Sequence, residues 1–207
     1  MTRVLDAAAD LLPAVWVGAD RRLAVLRALE SDDDGLIDEF VRELSPASRH
    51  DRFHVGVTAL PAPWLHALTR VDPAHEFALL ALASAGGRAV CIAEARYALD
   101  PGRDDAREFA LVVADGWHGQ GLGAELLRRL VAHARGRGIE RLYGDVLRTN
   151  DAMVRLATRA GFRVATHPED RRLLRVTRGL EPAEASVAAV AMAGAARHGV
   201  AAARLPG

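Results

Sequence analysis

The chain has 207 residues, 50% of them hydrophobic, and its 27 basic and 27 acidic side chains cancel to a formal net charge of zero. This length and composition predict one soluble domain with short extensions. The charge balance argues against nucleic acid or an anionic membrane as a partner held by bulk electrostatics. All 27 basic residues are arginines, so the protein offers no lysine of its own for modification.

The first half of the chain begins with residues 1–20, which show no clear periodicity and are predicted to form an N-terminal arm. Gly86 and Gly87 lie between two apolar runs and are typical of a hairpin turn, so the flanking strands should pair antiparallel. The predicted elements are a strand at 22–29, a helix at 36–44 capped by the SDDDG segment, a short helix at 63–71, and strands at 77–83 and 89–99.

The second half continues the alternation of strands and helices up to Leu180. Its predicted elements are a strand at 108–114, a helix at 124–135, a strand at 141–147, a helix at 151–160, and closing strands at 162–166 and 173–177. The order β-α-α-β-β-β-α-β-α-β-β predicts a mixed α/β domain over 21–180. The Ala-rich residues 181–207 differ in composition and are predicted to be an extension, helical or disordered.

Three glycines, Gly119, Gly121 and Gly123, stand between the strand at 108–114 and the next helix. A strand that leads through glycines into a helix is typical of an anion cradle, because the main chain can approach a phosphate and the helix start favours negative charge. A loop in which the glycines only permit a sharp turn is the alternative. A dinucleotide-binding loop fits less well, since residues 115–118 separate the strand from the first glycine.

The element order, the loop WHGQGLG and the closing NDAMVRLATRAGF resemble the GNAT (Gcn5-related) N-acetyltransferases over residues 20–180, with Asn150 and Gly161-Phe162 at the expected distances. The segments ELSPASRHDRF, LTRVDPAHEFALLAL and AREFALVVAD resemble the acetyltransferase domain of bacterial protein lysine acetyltransferases. The resemblance implies a GNAT-type, largely antiparallel sheet with a splayed central strand pair. It also implies acetyl-CoA as the co-substrate.

The resemblance further implies how acetyl-CoA would bind. Its diphosphate would accept hydrogen bonds from loop amides, and its pantetheine arm would pair with the preceding strand. The amide of Val113 could stabilise an oxyanion, and Asn150 would contact the cofactor as well as cap a helix. The residues assigned to the cofactor are Leu111, Val112, Val113, Gly119, Gln120, Gly121, Leu122, Gly123, Ala124 and Asn150.

Glu108 is the predicted catalytic base, because an amine acceptor is protonated at neutral pH and must lose a proton before attack. The resembling enzymes have a glutamate at this position. A solvent-facing strand-end role is the alternative, and Glu94 is a second candidate base. The family often carries a tyrosine where this chain has Ala157, so the general acid is unassigned, and both tyrosines, Tyr97 and Tyr143, are expected to pack.

Several other residues have types or spacings that bear on ligand binding. Residues 30–41 resemble a calcium loop, but its last position is Val41 instead of glutamate, and the histidines are scattered, so no metal is predicted. His118 either touches the phosphates or is a solvated loop residue. Arg128 and Arg129 either form a solvated helix face or meet the ribose phosphate.

The cellular compartment is predicted from the single cysteine and from the two ends of the chain. Cys91 lies in an apolar run and is expected to be in the core, and a lone cysteine allows no intramolecular disulfide. The apolar stretch at 185–196 is shorter than the roughly 20 residues of a membrane helix, and the first residues lack a signal-peptide pattern. These features predict a cytoplasmic protein.

Together these features predict an N-acetyltransferase that moves an acetyl group from acetyl-CoA to a primary amine. A protein lysine is favoured over a small amine such as an amino acid or a polyamine. The alternative from another class is a non-catalytic sensor that binds coenzyme A and uses the Ala-rich tail for a partner.

Overall fold

The computed structural model describes residues 12–100 and 103–180, which form one eight-stranded sheet with helices on both faces. The predictions for 1–11 and 181–207 lie outside the described residues. The strands are β1 (Ala14–Val17), β2 (Leu23–Ala28), β3 (Phe77–Ala85), β4 (Arg88–Asp100), β5 (Arg103–Val113), β6 (Arg141–Leu147), β7 (Arg163–Thr166) and β8 (Leu173–Gly179). The helices are α1 (Asp34–Glu43), α2 (Pro46–Phe53), α3 (Ala62–Thr69), α4 (Leu122–Gly136) and α5 (Asp151–Arg159), with a 3₁₀ turn at Asp115–Trp117.

The sheet confirms the predicted mixed, largely antiparallel architecture. Its strand order is β1-β2-β3-β4-β5-β6-β8-β7, and only β5 and β6 pair in parallel. The β3–β4 hairpin turns at Gly86 and Gly87, whose φ angles of 58° and 82° are the positive values that a two-residue turn requires. The parallel pair lies between two antiparallel blocks, and strand direction changes there from one block to the other.

Each face of the sheet has its own apolar core. On one face, α4 and α5 pack, and α4 buries Leu122, Leu126 and Leu130 at the spacing of one helical face. On the other face, α1 packs with Phe40 and Val41 against strand residues that include Val112 and Cys91. The buried position confirms the prediction for Cys91. Its burial raises the pKa of the thiol.

Two elements were not predicted from the sequence. The strand β1 lies within the predicted arm and pairs only with β2 at the edge of the sheet, so its four residues carry a weak pattern. Helix α2 is short and largely polar, although Ser45 caps it by accepting a hydrogen bond from the Ser48 amide at 3.1 Å and Pro46 follows at the first helical position. That Ser-Pro pair is the signal that could have located α2.

Within residues 12–100 and 103–180, none of the helices combines the length and the apolar character needed to cross a bilayer.

Candidate active site

The central parallel strands form a fork. β5 and β6 pair with each other only where Ala106–Glu108 face Arg141–Tyr143, and beyond these positions they are no longer paired with each other. Gly144 lies just past the last paired position, and a Cβ there would lie 3.0 Å from the Phe109 carbonyl oxygen, so a larger residue would force the strands apart at this point. The described strands therefore enclose an open cleft between the ends of β5 and β6, as the predicted splayed pair requires.

The register of β5 decides which main-chain groups face this cleft. The Ala114 amide donates to the Ile92 carbonyl at 2.8 Å, and Val112 lies opposite Glu94. Because hydrogen-bonding direction alternates along an antiparallel strand, the main-chain groups of Val112 point to β4. Those of Leu111 and Val113 point into the cleft. Three strand residues were assigned to the pantetheine arm. Leu111 and Val113 present main-chain groups to the cleft, and Val112 does not.

The Val113 carbonyl is already engaged by His118. The imidazole Nε2 lies 2.7 Å from this oxygen and, since a carbonyl can only accept, donates to it. His118 is an exposed loop residue, as one of its two predicted roles requires, and its ring is in addition directed to the strand edge. The Val113 amide is the polar main-chain group that this residue still offers to the cleft.

The glycine loop leads from β5 to α4 and shapes the start of the helix. Gly119 and Gly121 have φ angles of 73° and 90°, which favour glycine, and Gly121 is the N-cap residue. The Glu125 amide makes the first helical bond, to the Gly121 carbonyl at 3.1 Å. The amides from Gly121 through Ala124 therefore have no intrahelical partner. Free amides at a helix start, together with the helix dipole, have the capacity to bind an anion.

Gly123 serves a different purpose from the two glycines before it. A Cβ at this position would meet the Leu156 side chain at 3.4 Å and the Val113 side chain at 3.6 Å. The small residue lets α4 approach β5 and α5 closely, which places the helix start at the open end of the fork. Gln120 and Leu122 complete the assigned loop, and Leu122 is buried in the core.

Asn150 lies where β6 leads into α5, on the opposite arm of the fork from the glycine loop. Its side-chain oxygen accepts a hydrogen bond from the Met153 amide at 2.9 Å, as the predicted N-cap requires. The side-chain amide group has no hydrogen bond among the described residues. Asn150 therefore has the capacity to contact a ligand in the fork while it caps the helix.

Glu108 occupies the last paired position of the fork, opposite Tyr143. The residue is exposed, and in the described part of the chain no hydrogen bond or ion pair engages its carboxylate. Desolvation by the surrounding atoms, followed by the negative charges of Asp145 and Asp100, raises the pKa of Glu108 above its ordinary value. A carboxylate with raised proton affinity and free lone pairs is suited to accept a proton.

The neighbouring acidic groups are occupied by partners. Arg175 binds both oxygens of Asp145 at 2.8 Å, and His167 Nε2 lies 3.2 Å from the same carboxylate. The Tyr143 hydroxyl donates to Asp100 at 2.6 Å. These contacts fix the two negative charges that act on Glu108.

Replacing Asp145 by asparagine is expected to lower the pKa of Glu108, because one like charge is removed and Arg175 is freed. The acid limb of the pH profile of kcat/KM should move to lower pH. The Asp170→Asn variant is the control, since Asp170 pairs with Arg172 in an exposed turn and should leave the limb in place. An unchanged limb in Asp145→Asn would show that the titrating group lies elsewhere.

Glu94, the second candidate base, is in a different state. It is buried and paired with Arg52 at 3.2 Å and with Arg96. Although burial opposes it, the charges of Arg96 and Arg52 hold the pKa of Glu94 below its ordinary value. A carboxylate held in this way is a poor proton acceptor, and its evident role is to tie α2 to β4 through Arg52.

A second tie joins α2 to the start of the glycine loop. Asp115 accepts hydrogen bonds from the Ser45 amide at 2.9 Å and from the hydroxyls of Ser45 and Ser48 at 2.8 Å each. Although partial burial acts in the other direction, these bonds lower the pKa of Asp115 to about 2. Neither tie was predicted from the sequence.

Replacing Asp115 by asparagine is expected to lower the free energy of unfolding by about 1 kcal/mol at neutral pH, since an amide replaces an exposed but triply bonded carboxylate. Because the folded pKa is depressed, the wild-type advantage exists above the ordinary value of 3.8 and is lost as pH falls toward about 2. Denaturant titrations across this range measure the difference. Asp38→Asn, which breaks an exposed pair with Arg42, should cost less, and an equal cost would contradict the prediction.

The remaining residues considered for binding or catalysis have structural roles. Ala157 is buried on α5, which carries no tyrosine. The Tyr97 hydroxyl lies 2.9 Å from His133 Nδ1. The arginines of α4 do not form one solvated face: Arg128 is exposed, whereas Arg129 is buried because its ion pair with Glu125, at 2.6 Å, compensates the charge.

The fork of parallel strands and the helix start shaped by the glycine loop define a mixed α/β fold with an open cleft at the centre of its sheet. Comparison with known proteins agrees, since the model of the Acetyltransferase (GNAT) family matches residues 37–162. Acetyltransferase PA5475 from Pseudomonas aeruginosa is 31% identical over 157 residues, which cover 75% of this chain and 84% of that protein. The chain therefore belongs to the GNAT family and is a GNAT acetyltransferase.

Solved structures resemble the whole fold. The GNAT domain of S. lividans PAT is 28% identical, with a TM-score of 0.72 over 81% of this chain and 96% of that one. The structure of yncA from Salmonella typhimurium, solved with its cofactor acetyl-CoA, is 21% identical, with a TM-score of 0.60 over 76% of this chain and 94% of that one. The second likeness is one of fold.

Proposed function

We propose that the protein transfers an acetyl group from acetyl-CoA to a primary amine, with Glu108 as the general base. The observation that carries the proposal is the position of Glu108 at the closed end of the fork, exposed, with raised pKa and without a partner among the described residues. At neutral pH the carboxylate can take a proton from an ammonium acceptor. The neutral amine then attacks the thioester carbonyl, the carbon–sulfur bond breaks, and coenzyme A leaves as a thiolate whose charge is balanced by the second proton lost from the attacking nitrogen.

The glycine loop fits the diphosphate of acetyl-CoA. Amides at Gly121, Leu122, Gly123 and Ala124 would donate to it without any charged side chain, and those of Gly119 and Gln120 extend the same run. Main-chain groups of Leu111 and Val113 would pair with the pantetheine arm along the free edge of β5. The Val113 amide would face the oxyanion that forms during attack.

A protein lysine is the acceptor that we favour. The GNAT domain of PAT, a protein acetyltransferase, is similar over nearly its whole length. The acidic residues Asp100 and Asp145 around Glu108 are compatible with a cationic acceptor, but they would equally attract a small polyamine. The chemical class supported by both lines is therefore a primary amine, with lysine preferred.

An acetylation screen tests this function directly. The purified full chain is incubated with acetyl-CoA and either a panel of lysine-containing proteins or a panel of small amines, and products are read by mass spectrometry. The chain has no lysine, so every acetyl-lysine found must belong to an added acceptor. Acetylated proteins would support the lysine proposal, acetylated small amines alone would replace it, and binding of acetyl-CoA without any turnover would indicate a sensor.

A further inference from the structure

The turn between β1 and β2, at residues 18–22, contacts the glycine loop at several points. Arg22 Nη2 donates to the Gly116 carbonyl at 2.7 Å, and its guanidinium lies 4.0 Å from the centre of the Trp117 ring. The Asp20 amide donates to the side-chain oxygen of Gln120 at 3.1 Å. The turn therefore holds both the beginning and the middle of the loop.

The turn itself is internally fixed. The Gly18 amide donates to the Arg22 carbonyl at 2.8 Å, and the Arg21 amide donates back to Gly18 at 2.9 Å. Asp20 accepts from the Arg22 amide at 3.0 Å and pairs with its guanidinium at 2.5 Å. The Arg22 side chain is therefore oriented before it meets the loop.

The contacts use groups of the loop that an anion would not need. The turn contacts the Gly116 carbonyl, the Trp117 ring and the Gln120 side chain. None of these contacts involves the main-chain amides from Gly119 to Ala124. A loop held by its other groups loses less conformational freedom when a ligand binds, so its affinity is higher. The two positive φ angles in this loop make such support more valuable, because glycines are the most flexible residues.

We infer that Arg22, in the β1–β2 turn, is a positioning residue of the acetyl-CoA site that fixes the glycine loop for the diphosphate. This inference rests on the proposed function. The turn precedes residue 37, where the match to the family model begins, so it is a feature of this chain outside the matched segment. Arg22 acts through Gly116 and Trp117 and is assigned no contact with the ligand.

The test is the Arg22→Ala variant, studied in the full chain with coenzyme A and acetyl-CoA as probes. We expect the Kd for coenzyme A and the KM for acetyl-CoA to rise about 10-fold, because the loop must then be ordered on binding. The kcat at saturating acetyl-CoA and the KM for the acceptor should change less than about twofold. Arg22→Lys, which keeps a donor and a cation over the ring, should restore part of the affinity.

Arg21→Ala is the matched control. It removes the same charge from the adjacent position of the same turn. The φ angle of 67° at this position is equally unfavourable for arginine and for alanine, so the substitution does not change the backbone strain. None of the described contacts of Arg21 reaches the loop. An equal rise in Kd in both variants would show a general electrostatic effect and overturn the inference. A parallel loss of affinity, kcat and folded protein in Arg22→Ala would also overturn it.

Hydrogen exchange without ligand separates this inference from the proposed function. Arg22→Ala should speed exchange of the Trp117 and His118 amides, which donate to the Ala114 and Asp115 carbonyls at 2.8 and 3.2 Å beside the groups that Arg22 contacts, and Arg21→Ala should not. If the wild-type protein fails to bind coenzyme A, the proposed function fails, and the inferred link to acetyl-CoA fails with it. If the wild type binds and exchange in Arg22→Ala is unchanged, the proposed function stands and the inferred role of the turn is wrong.

Discussion

Replacing Glu108 by glutamine is expected to lower kcat by about 10²- to 10⁴-fold, the usual contribution of a positioned general base. Glutamine keeps the shape of the side chain but cannot accept a proton from an ammonium group. The Kd for acetyl-CoA should stay within about twofold, because the residue lies at the fork and away from the glycine loop. Steady-state kinetics and a titration of the same preparation measure the two quantities.

The pH dependence gives a second readout of the same variant. Since the carboxylate form is the active base and its pKa is raised, wild-type activity should fall as pH decreases through that raised pKa. The residual activity of Glu108→Gln should lack this acid limb. Glu140→Gln, at an exposed position before β6, should keep both rate and limb, and a similar loss of rate there would contradict the assignment.

Stability distinguishes a catalytic from a structural carboxylate at this position. A raised folded pKa means that the ionised form of Glu108 is less favourable in the native protein than in the unfolded chain, so at neutral pH it destabilises the fold. We therefore expect the Tm of Glu108→Gln to equal or exceed that of the wild type. A structural carboxylate would give the opposite sign, as Asp115 is expected to do.

Local patterns predicted the parts of the site that lie within one element. The strand-to-helix spacing located the glycine loop. The period of two placed Glu108 and Val112 on one face of β5, and the alternate packing of β5 side chains into the two cores agrees with this period. The direction of the Val112 main-chain groups could not be predicted in this way. It depends on the pairing of β5 with β4, and sequence alone does not specify that register.

The unpredicted parts are contacts between residues far apart in the chain. Asp115 meets Ser45 across 70 positions, and Arg22 meets Gly116 across 94. Neither contact leaves a periodic signal, because each joins a polar turn to a polar loop. Such contacts depend on the sheet order, which brings the start of β2 and the end of β5 to the same end of the molecule.

The second large effect is expected at Gly121, where valine should raise the Kd for coenzyme A by about 100-fold, the equivalent of roughly 2.7 kcal/mol. A β-branched residue strongly disfavours the φ of 90° found there. The chain must then carry strain or turn to negative φ. A change to negative φ would redirect the amides of Leu122 and Gly123. If the positive φ were kept, the branched side chain would occupy the open space before the helix.

Gly138→Val is the control for strain alone. Gly138 has φ of 73°, and a Cβ there would also meet nothing within 4 Å, but it lies beyond the far end of α4. Both variants should lose stability by a similar amount in thermal unfolding, because the backbone penalty is the same. Only Gly121→Val should lose coenzyme A binding. If the two variants lost affinity equally, the effect would come from general destabilisation, and the helix start could not be the diphosphate site.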